Sequence, residues 1–298
     1  MELLSAFPGA VAQGFIWGIM AIGVYITFKI LDIADLTVDG SICTGAAVCT
    51  VLATKGVNIY LALLAAVIAG LLAGLLTGLL HTVLGIPAIL SGILTQLILW
   101  SANLKIMGKA NISLSARSYK VMLTQMNINS SIAVLAVIGI ILIALLYWFF
   151  GTELGCSVRA TGCNLNMSRA QGINTNVNIV LGLMLSNAIV ALSGALLAQY
   201  QGFADINMGK GAIVIGLAAV IIGEAVFSKI ARNFAVRLFA VIVGGIIYYI
   251  VYQVIIFLGI DTDLLKMLSA LVVAVFLGVP YVKKHYFASA VKGGKNNA

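Results

Sequence analysis

Apolar residues in this chain gather in long, nearly continuous runs, without the three-to-four spacing of a half-buried helix or the alternation of a half-buried strand. Runs at 10–31, 58–84, 132–150, 179–200 and 234–258 are each close to the ~20 residues that a helix needs to cross ~30 Å of hydrocarbon. Runs at 88–103 and 264–281 are somewhat shorter, and those at 40–54 and 211–227 are shorter still and rich in small residues. This pattern predicts an all-α polytopic membrane protein of about nine transmembrane helices, eight to ten, in one domain over residues 1–298. The first run is too long for a signal-peptide core and has no basic residue before it, so it reads as a retained span.

Local signals refine the spans. Asp32, Asp35 and Asp39 form a polar patch ahead of the short second run, which is therefore expected to be a short or broken helix. Gly70, Gly74 and Gly78 recur every four residues, which puts them on one helical face and lets another helix approach closely. Gly85-Ile86-Pro87 marks a tight break before the fourth run. Segment 104–130 carries Lys105, Lys109, Arg117 and Lys120 and is placed outside the hydrocarbon. Segment 151–178 is polar and free of proline, too polar to span and too long for a turn. Trp17, Trp100, Trp148, Tyr248 and Tyr249 suit the aromatic belts at the membrane surfaces.

Composition supports the same class. Of 298 residues, 62% are hydrophobic and 9% charged, and the mean hydropathy is +1.14, which excludes an ordinary soluble globule. The net charge of +8 would suggest nucleic acid in a soluble protein, but here the basic residues sit at span ends and read as an orientation signal. With the C-terminus inside, segments 28–39, 81–87, 151–178, 228–237 and the tail hold ten basic residues, against seven outside. That favours a cytoplasmic C-terminus. Four cysteines without C-x-x-C spacing, and His81 and His285 as the two histidines, support neither a disulfide scaffold nor a zinc site.

Ala34-Asp35-Leu36-Thr37-Val38 and Ala204-Asp205-Ile206-Asn207-Met208 match in pattern at an offset of 170, and each leads into a short small-residue run. The two copies enter the membrane from opposite sides, as an inverted repeat would; a chance match in an apolar chain is the alternative reading. No hydrolase, metalloprotease or relay motif is present. The nearest approach to a phosphate loop, Gly202 to Gly209-Lys210, has six residues where such a loop has four. Catalysis is not expected, so ATP, if used, must be hydrolysed by another chain.

Arg159-Ala160-Thr161-Gly162-Cys163-Asn164, continuing to Ala170-Gln171-Gly172-Ile173-Asn174, resembles the integral-membrane permease family of ABC importers that includes branched-chain amino-acid and ribose permeases. Asp35-Leu36-Thr37-Val38-Asp39-Gly40-Ser41 looks like the D-L-S-V-G motif of sugar-type members, and Gly194-Ala195-Leu196 with Gly202 like the family's later small-residue stretch. The chain departs from the family at Asp39, where glycine is expected, and at Gly223-Glu224, where glycines pair. The resemblance implies a cytoplasmic coupling helix within 151–178 that docks on the ATPase through Arg159, Ala160, Gly162, Asn164, Arg169, Ala170, Gly172 and Ile173. It also implies two ATPase subunits, an extracytoplasmic substrate-binding protein, a second copy of the chain as a homodimer, no cofactor, and the bacterial plasma (inner) membrane as location. Read physically, the arginines supply charge-assisted contacts and the small residues permit close packing. A helix lying on lipid headgroups is the other reading.

Polar residues inside a membrane are costly and mark pathways. Candidates here are Thr37, Asp39, Ser41, Thr44, Gln96, Ser186, Asn187 and Asn207, although a hydroxyl can also satisfy its own helix. Glu224 is expected to form an interfacial ion pair with Lys229 or Arg232. These small neutral groups favour a polar solute such as an amino acid; sugars or nucleosides, and an ion-driven secondary transporter, are the alternatives.

Overall fold

A computed structural model describes residues 2–115, 119, 121–227 and 233–258, and five further helical positions between 267 and 278; side chains are described from residue 7 onward. The ninth run, the basic tail, Arg117, Lys120, Lys229 and Arg232 lie outside the described residues, apart from isolated positions in that run.

Ten helices follow in order: α1 (Glu2–Tyr25), α2 (Val38–Thr54), α3 (Ile59–Thr82), α4 (Ala88–Met107), α5 (Ile128–Gly151), α6 (Glu153–Cys163), α7 (Leu165–Ala170), α8 (Thr175–Gln201), α9 (Ala212–Phe227) and α10 (Phe234–Phe257). Six segments are long and apolar enough to cross a membrane, and α2 and α9 are the two shorter apolar helices. The eight runs that fall on described residues thus each became a helix. The short second run is one unbroken helix of 17 residues.

α1 and α8 form the centre: 78% and 72% of their apolar windows are buried, against 17% for α5, which presents Val137, Ile140, Ile141 and Leu145 outward. Seryl hydroxyls tie the two central helices together, Ser186 Oγ donating to the Gly23 carbonyl (2.8 Å) and Ser193 Oγ to that of Ile16 (2.7 Å). α3 packs along α8 and α10 along α1. In both pairs glycine makes the approach possible: Gly70, Gly74 and Gly78 lie against the α8 backbone at Asn187, Leu183 and Val180, and Gly14 and Gly18 against α10 at Ile246 and Ile242. Trp17 stacks on Tyr249 at 5.9 Å, and Trp17, Tyr248 and Tyr249 are buried. These three serve the α1–α10 contact rather than an interfacial belt, whereas Trp100 and Trp148 are exposed as a belt requires.

Each end of the bundle is closed differently. At one end β1 (Asn111–Ser113) pairs antiparallel with β2 (Phe203–Asp205), and Gly202, in the left-handed conformation, ends α8 and turns the chain into that strand. The other end carries α6 and α7. A π-helical turn at 26–30 follows α1 there, and its Ile30 carbonyl is met by Gly162 of α6.

Candidate functional site

α2 begins inside the bundle rather than at its surface. The segment after the π-turn carries Asp35 to Asn187, near the midpoint of the 27-residue α8. Asp35 Oδ1 accepts from the Thr37 amide (2.9 Å), which holds the turn that starts α2, and Asp35 Oδ2 accepts from Asn187 Nδ2 (2.7 Å). Asn187 Oδ1 in turn accepts from Ser41 Oγ at 2.6 Å. Thr37 Oγ1 meets Thr77 Oγ1 of α3 at 2.8 Å, and Thr77 donates to Thr95 Oγ1 of α4 at 3.0 Å. Every one of these side chains is buried. The result is a continuous hydrogen-bonded chain through α8, α2, α3 and α4 in which each buried polar group has a partner, the condition for tolerating such groups away from water.

A second junction joins α2 to α9. Asp39, on the first turn of α2, accepts from the Gly211 amide (2.9 Å) and the Ile213 amide (3.0 Å), so its carboxylate caps the N-terminus of α9. Gly209 lies against the Asp39 carbonyl, where a side chain would not fit. Cys43 Sγ donates to the Ile206 carbonyl and accepts from the Gly209 amide. Asp205 Oδ1 accepts from the Asn207 amide (2.7 Å), the same turn that Asp35 makes with Thr37.

The eight residues expected on the pathway therefore separate. Thr37, Ser41 and Asn187 converge in the buried chain, and Asp39 holds the α2–α9 junction. Ser186 links α8 to α1. Thr44 bonds the Gly40 carbonyl of its own helix at 3.0 Å, the self-satisfied arrangement open to any helical hydroxyl. Gln96 is half-buried with its backbone beside Gly40, and Asn207 is exposed on the turn before α9. Asp35, Thr77 and Thr95 complete the network and were not among those eight. Asp35 did stand out in the sequence as part of the aspartate patch.

Segment 151–178 is two helices rather than one. Asn164, in an extended conformation, ends α6 and caps α7 by accepting from the Met167 amide at 3.0 Å. Contacts tie the pair to three different elements. The Arg159 guanidinium lies 4.8 Å from the centre of the Phe234 ring on α10, Gly162 packs on Ile30, and Arg169 Nε donates to Thr175 Oγ1 (3.0 Å) at the start of α8. Asn178 Nδ2 donates to Thr161 Oγ1 (2.9 Å) and its Oδ1 accepts from Ser157 Oγ (3.2 Å), fixing α6 along α8. Ala160 is half-buried and Ala170 exposed; Gly172 is left-handed (φ 80°) with open space around it, and Ile173 is half-buried. Leu165 and Met167 of α7 are exposed. Glu224 is paired with Lys29 at 2.9 Å, across α9 and the π-turn; Lys229 and Arg232, the partners expected for it, lie outside the described residues.

Among the described residues the arrangement offers no nucleophile with a base beside it. It offers a buried polar chain, a pair of half-length helices meeting inside a membrane bundle, and a docking-sized helical segment at one end. Comparison with known proteins points the same way. Residues 8–278 match the family model described as branched-chain amino acid transport system / permease component. A tyrosine transport system permease protein of Clostridioides difficile (strain R20291) is 41% identical over 274 residues, 92% of this chain and 91% of that one. An uncharacterised protein of Rickettsia prowazekii (strain Madrid E) is 34% identical over 277 residues, 92% and 97% of the two chains. A galactofuranose transporter permease of Escherichia coli (strain K12) is 29% identical over 160 residues, 53% and 45% of the two chains. No solved structure matches. On a family match across nearly all of its length, this multi-pass membrane chain belongs to the permease components of branched-chain amino acid ABC transport systems.

Proposed function

We propose that the chain imports an amino acid, with an aromatic one such as tyrosine the first to test, as the membrane subunit of an ABC importer. The observation that carries the substrate class is the 41% identity to a tyrosine permease over nearly the whole of both chains, while the galactofuranose permease matches about half of this one. ATP is hydrolysed on separate subunits, a binding protein delivers the solute outside, and two copies of the chain enclose the route. The α6–α7 end faces the cytoplasm of a bacterial inner membrane. Supporting this is the sequence count of ten basic residues on the side of segment 151–178 against seven on the other.

In this reading α6 and α7 receive the ATPase. The exposed Leu165 and Met167 supply the apolar contact, and Gly172 and Ala170 leave room for it. Motion is passed on through Arg159 to α10, Gly162 to the π-turn after α1 and Arg169 to α8. The solute moves past the α2–α9 junction, where Asp39, Gln96 and Asn207 are the pathway candidates that are not fully buried. The two halves of the chain form an inverted repeat. Its support is that the bonded pairs Ser186–Gly23 and Ser193–Ile16 exchange under the same 170-residue offset that relates Asp35 to Asp205.

The native cysteines test both the sidedness and the dock. Cys156 and Cys163 on α6 are exposed, and Cys43 and Cys49 are buried. A membrane-impermeant maleimide is expected to label the two α6 cysteines in inside-out vesicles and neither in intact spheroplasts, with bound ATPase slowing the reaction at Cys163. Single Cys→Ser variants separate the sites. Labelling in spheroplasts would reverse the topology; labelling that ATPase leaves unchanged would remove the dock.

A further inference from the structure

We propose that the groove between α5 and α10 is a binding site for an anionic phospholipid, whose headgroup Arg159 holds. The groove has a volume of about 430 Å³ and is lined by Ile140, Ile143, Ala144 and Tyr147 of α5 with Val236 and Phe239 of α10. That volume falls in the range of ligand pockets, and the lining offers an acyl chain apolar surface throughout.

Depth and charge point to the class of lipid. Tyr147 and the adjacent Trp148 are 58% and 71% exposed on the outer face of α5, the position and residue types of an interfacial belt. From Tyr147 to Ile140 the helix rises roughly 10 Å, which keeps the groove within one ~15 Å leaflet. The Arg159 guanidinium carbon lies 4.8 Å from the centre of the Phe234 ring, and Phe234 immediately precedes the stretch of α10 that lines the groove. Held by a ring rather than by a carboxylate, the guanidinium keeps N–H donors for a phosphate. Arg159 is exposed, and the one salt bridge among the described residues, Lys29–Glu224, does not involve it. Arg237, on the first turn of α10, adds positive charge while bonded to Tyr25; Glu153 at the start of α6 is the nearest acidic residue in sequence. A guanidinium at the interface beside an apolar slot matches a lipid with net negative charge better than a zwitterionic one.

Which leaflet supplies the lipid rests on the cytoplasmic placement of α6, but retention of the lipid does not. The full chain, purified in detergent from membranes containing phosphatidylglycerol and phosphatidylcholine of matched acyl chains, would be analysed by native mass spectrometry. Wild type is expected to retain phosphatidylglycerol over phosphatidylcholine. Arg159→Gln should lose about tenfold of that preference, the loss of one charge-assisted contact, and Arg159→Lys should keep most of it. Ala144→Trp, which fills the groove, should release both lipids. Equal retention of the two lipids by wild type, or unchanged preference in Arg159→Gln, would overturn the headgroup assignment. Unchanged retention in Ala144→Trp, or a shift in oligomeric mass instead of lipid, would show that the groove holds something other than lipid.

Discussion

Gly74→Leu is expected to leave little folded protein. A side chain at Gly74 runs into the carbonyl of Leu183 and the Cα of Met184, backbone atoms of α8 that cannot swing aside as a flexible side chain would. Overpacking of this kind costs about 1–3 kcal/mol in general, and this contact falls at the upper end because both partners are main chain. Small residues at such crossings are the means by which helices associate without a hydrophobic drive inside lipid. Gly151→Leu is the control, since nothing lies within 4 Å of a side chain there and φ is not positive. The check is detergent-solubilised yield and melting temperature side by side. Wild-type values for Gly74→Leu would mean that the α3–α8 contact does not hold the bundle.

Asn187→Asp is expected to be nearly as damaging, for an electrostatic reason. Asn187 Nδ2 donates to Asp35 at 2.7 Å, so the substitution replaces a donor with a second carboxylate facing the first in a buried site. Like charges there cannot both be ionised, and the bond to Asp35 is lost unless one carries a proton. Asn187→Leu should cost less, about 1–3 kcal/mol, for leaving the Asp35 oxygen and the Ser41 hydroxyl without their partner. Melting temperature at neutral and at mildly acidic pH distinguishes the two. The aspartate variant recovers as pH falls and its extra carboxyl takes up a proton, whereas the leucine variant does not. Equal behaviour at both pH values would remove the charge argument.

Much of this was legible in the sequence, because the hydrocarbon imposes so strict a demand on the backbone. Apolar run length alone located every described spanning helix, and the glycine stripe of α3 faces a partner helix as its spacing implied. The cost of polar groups in lipid singled out Thr37, Ser41 and Asn187, which meet. The rest depended on tertiary contacts that no local pattern encodes. Asp35 looked like a surface loop residue because the depth to which its segment enters the bundle is set by α8, far along the chain. Thr77 and Thr95 carry no sequence signal of their own, since each hydroxyl lies within reach of a carbonyl of its own helix, Ala73 and Ser91, as any helical threonine can, as well as of the other. Glu224 pairs with Lys29, far away in the chain, for the same reason. Aromatic residues at span ends are ambiguous between a belt and a packed crossing, and Trp17, Tyr248 and Tyr249 took the second role. The division between α6 and α7 did have a local signal. Asn164 is a strong capping residue standing just before the new helix whose amide it accepts.

The bundle is proposed to move its solute on energy delivered through α6 and α7. The direct test is uptake of radiolabelled tyrosine, with other amino acids and galactose as competitors, into proteoliposomes holding the chain and its cognate ATPase, with the binding protein added outside. Uptake is expected to require ATP within the vesicles, to proceed without any ion gradient, and to fall several-fold in Gly172→Trp, whose bulky residue occupies the open left-handed turn beside α7. Uptake that runs on a sodium or proton gradient without ATP, or that Gly172→Trp leaves at the wild-type rate, would contradict it.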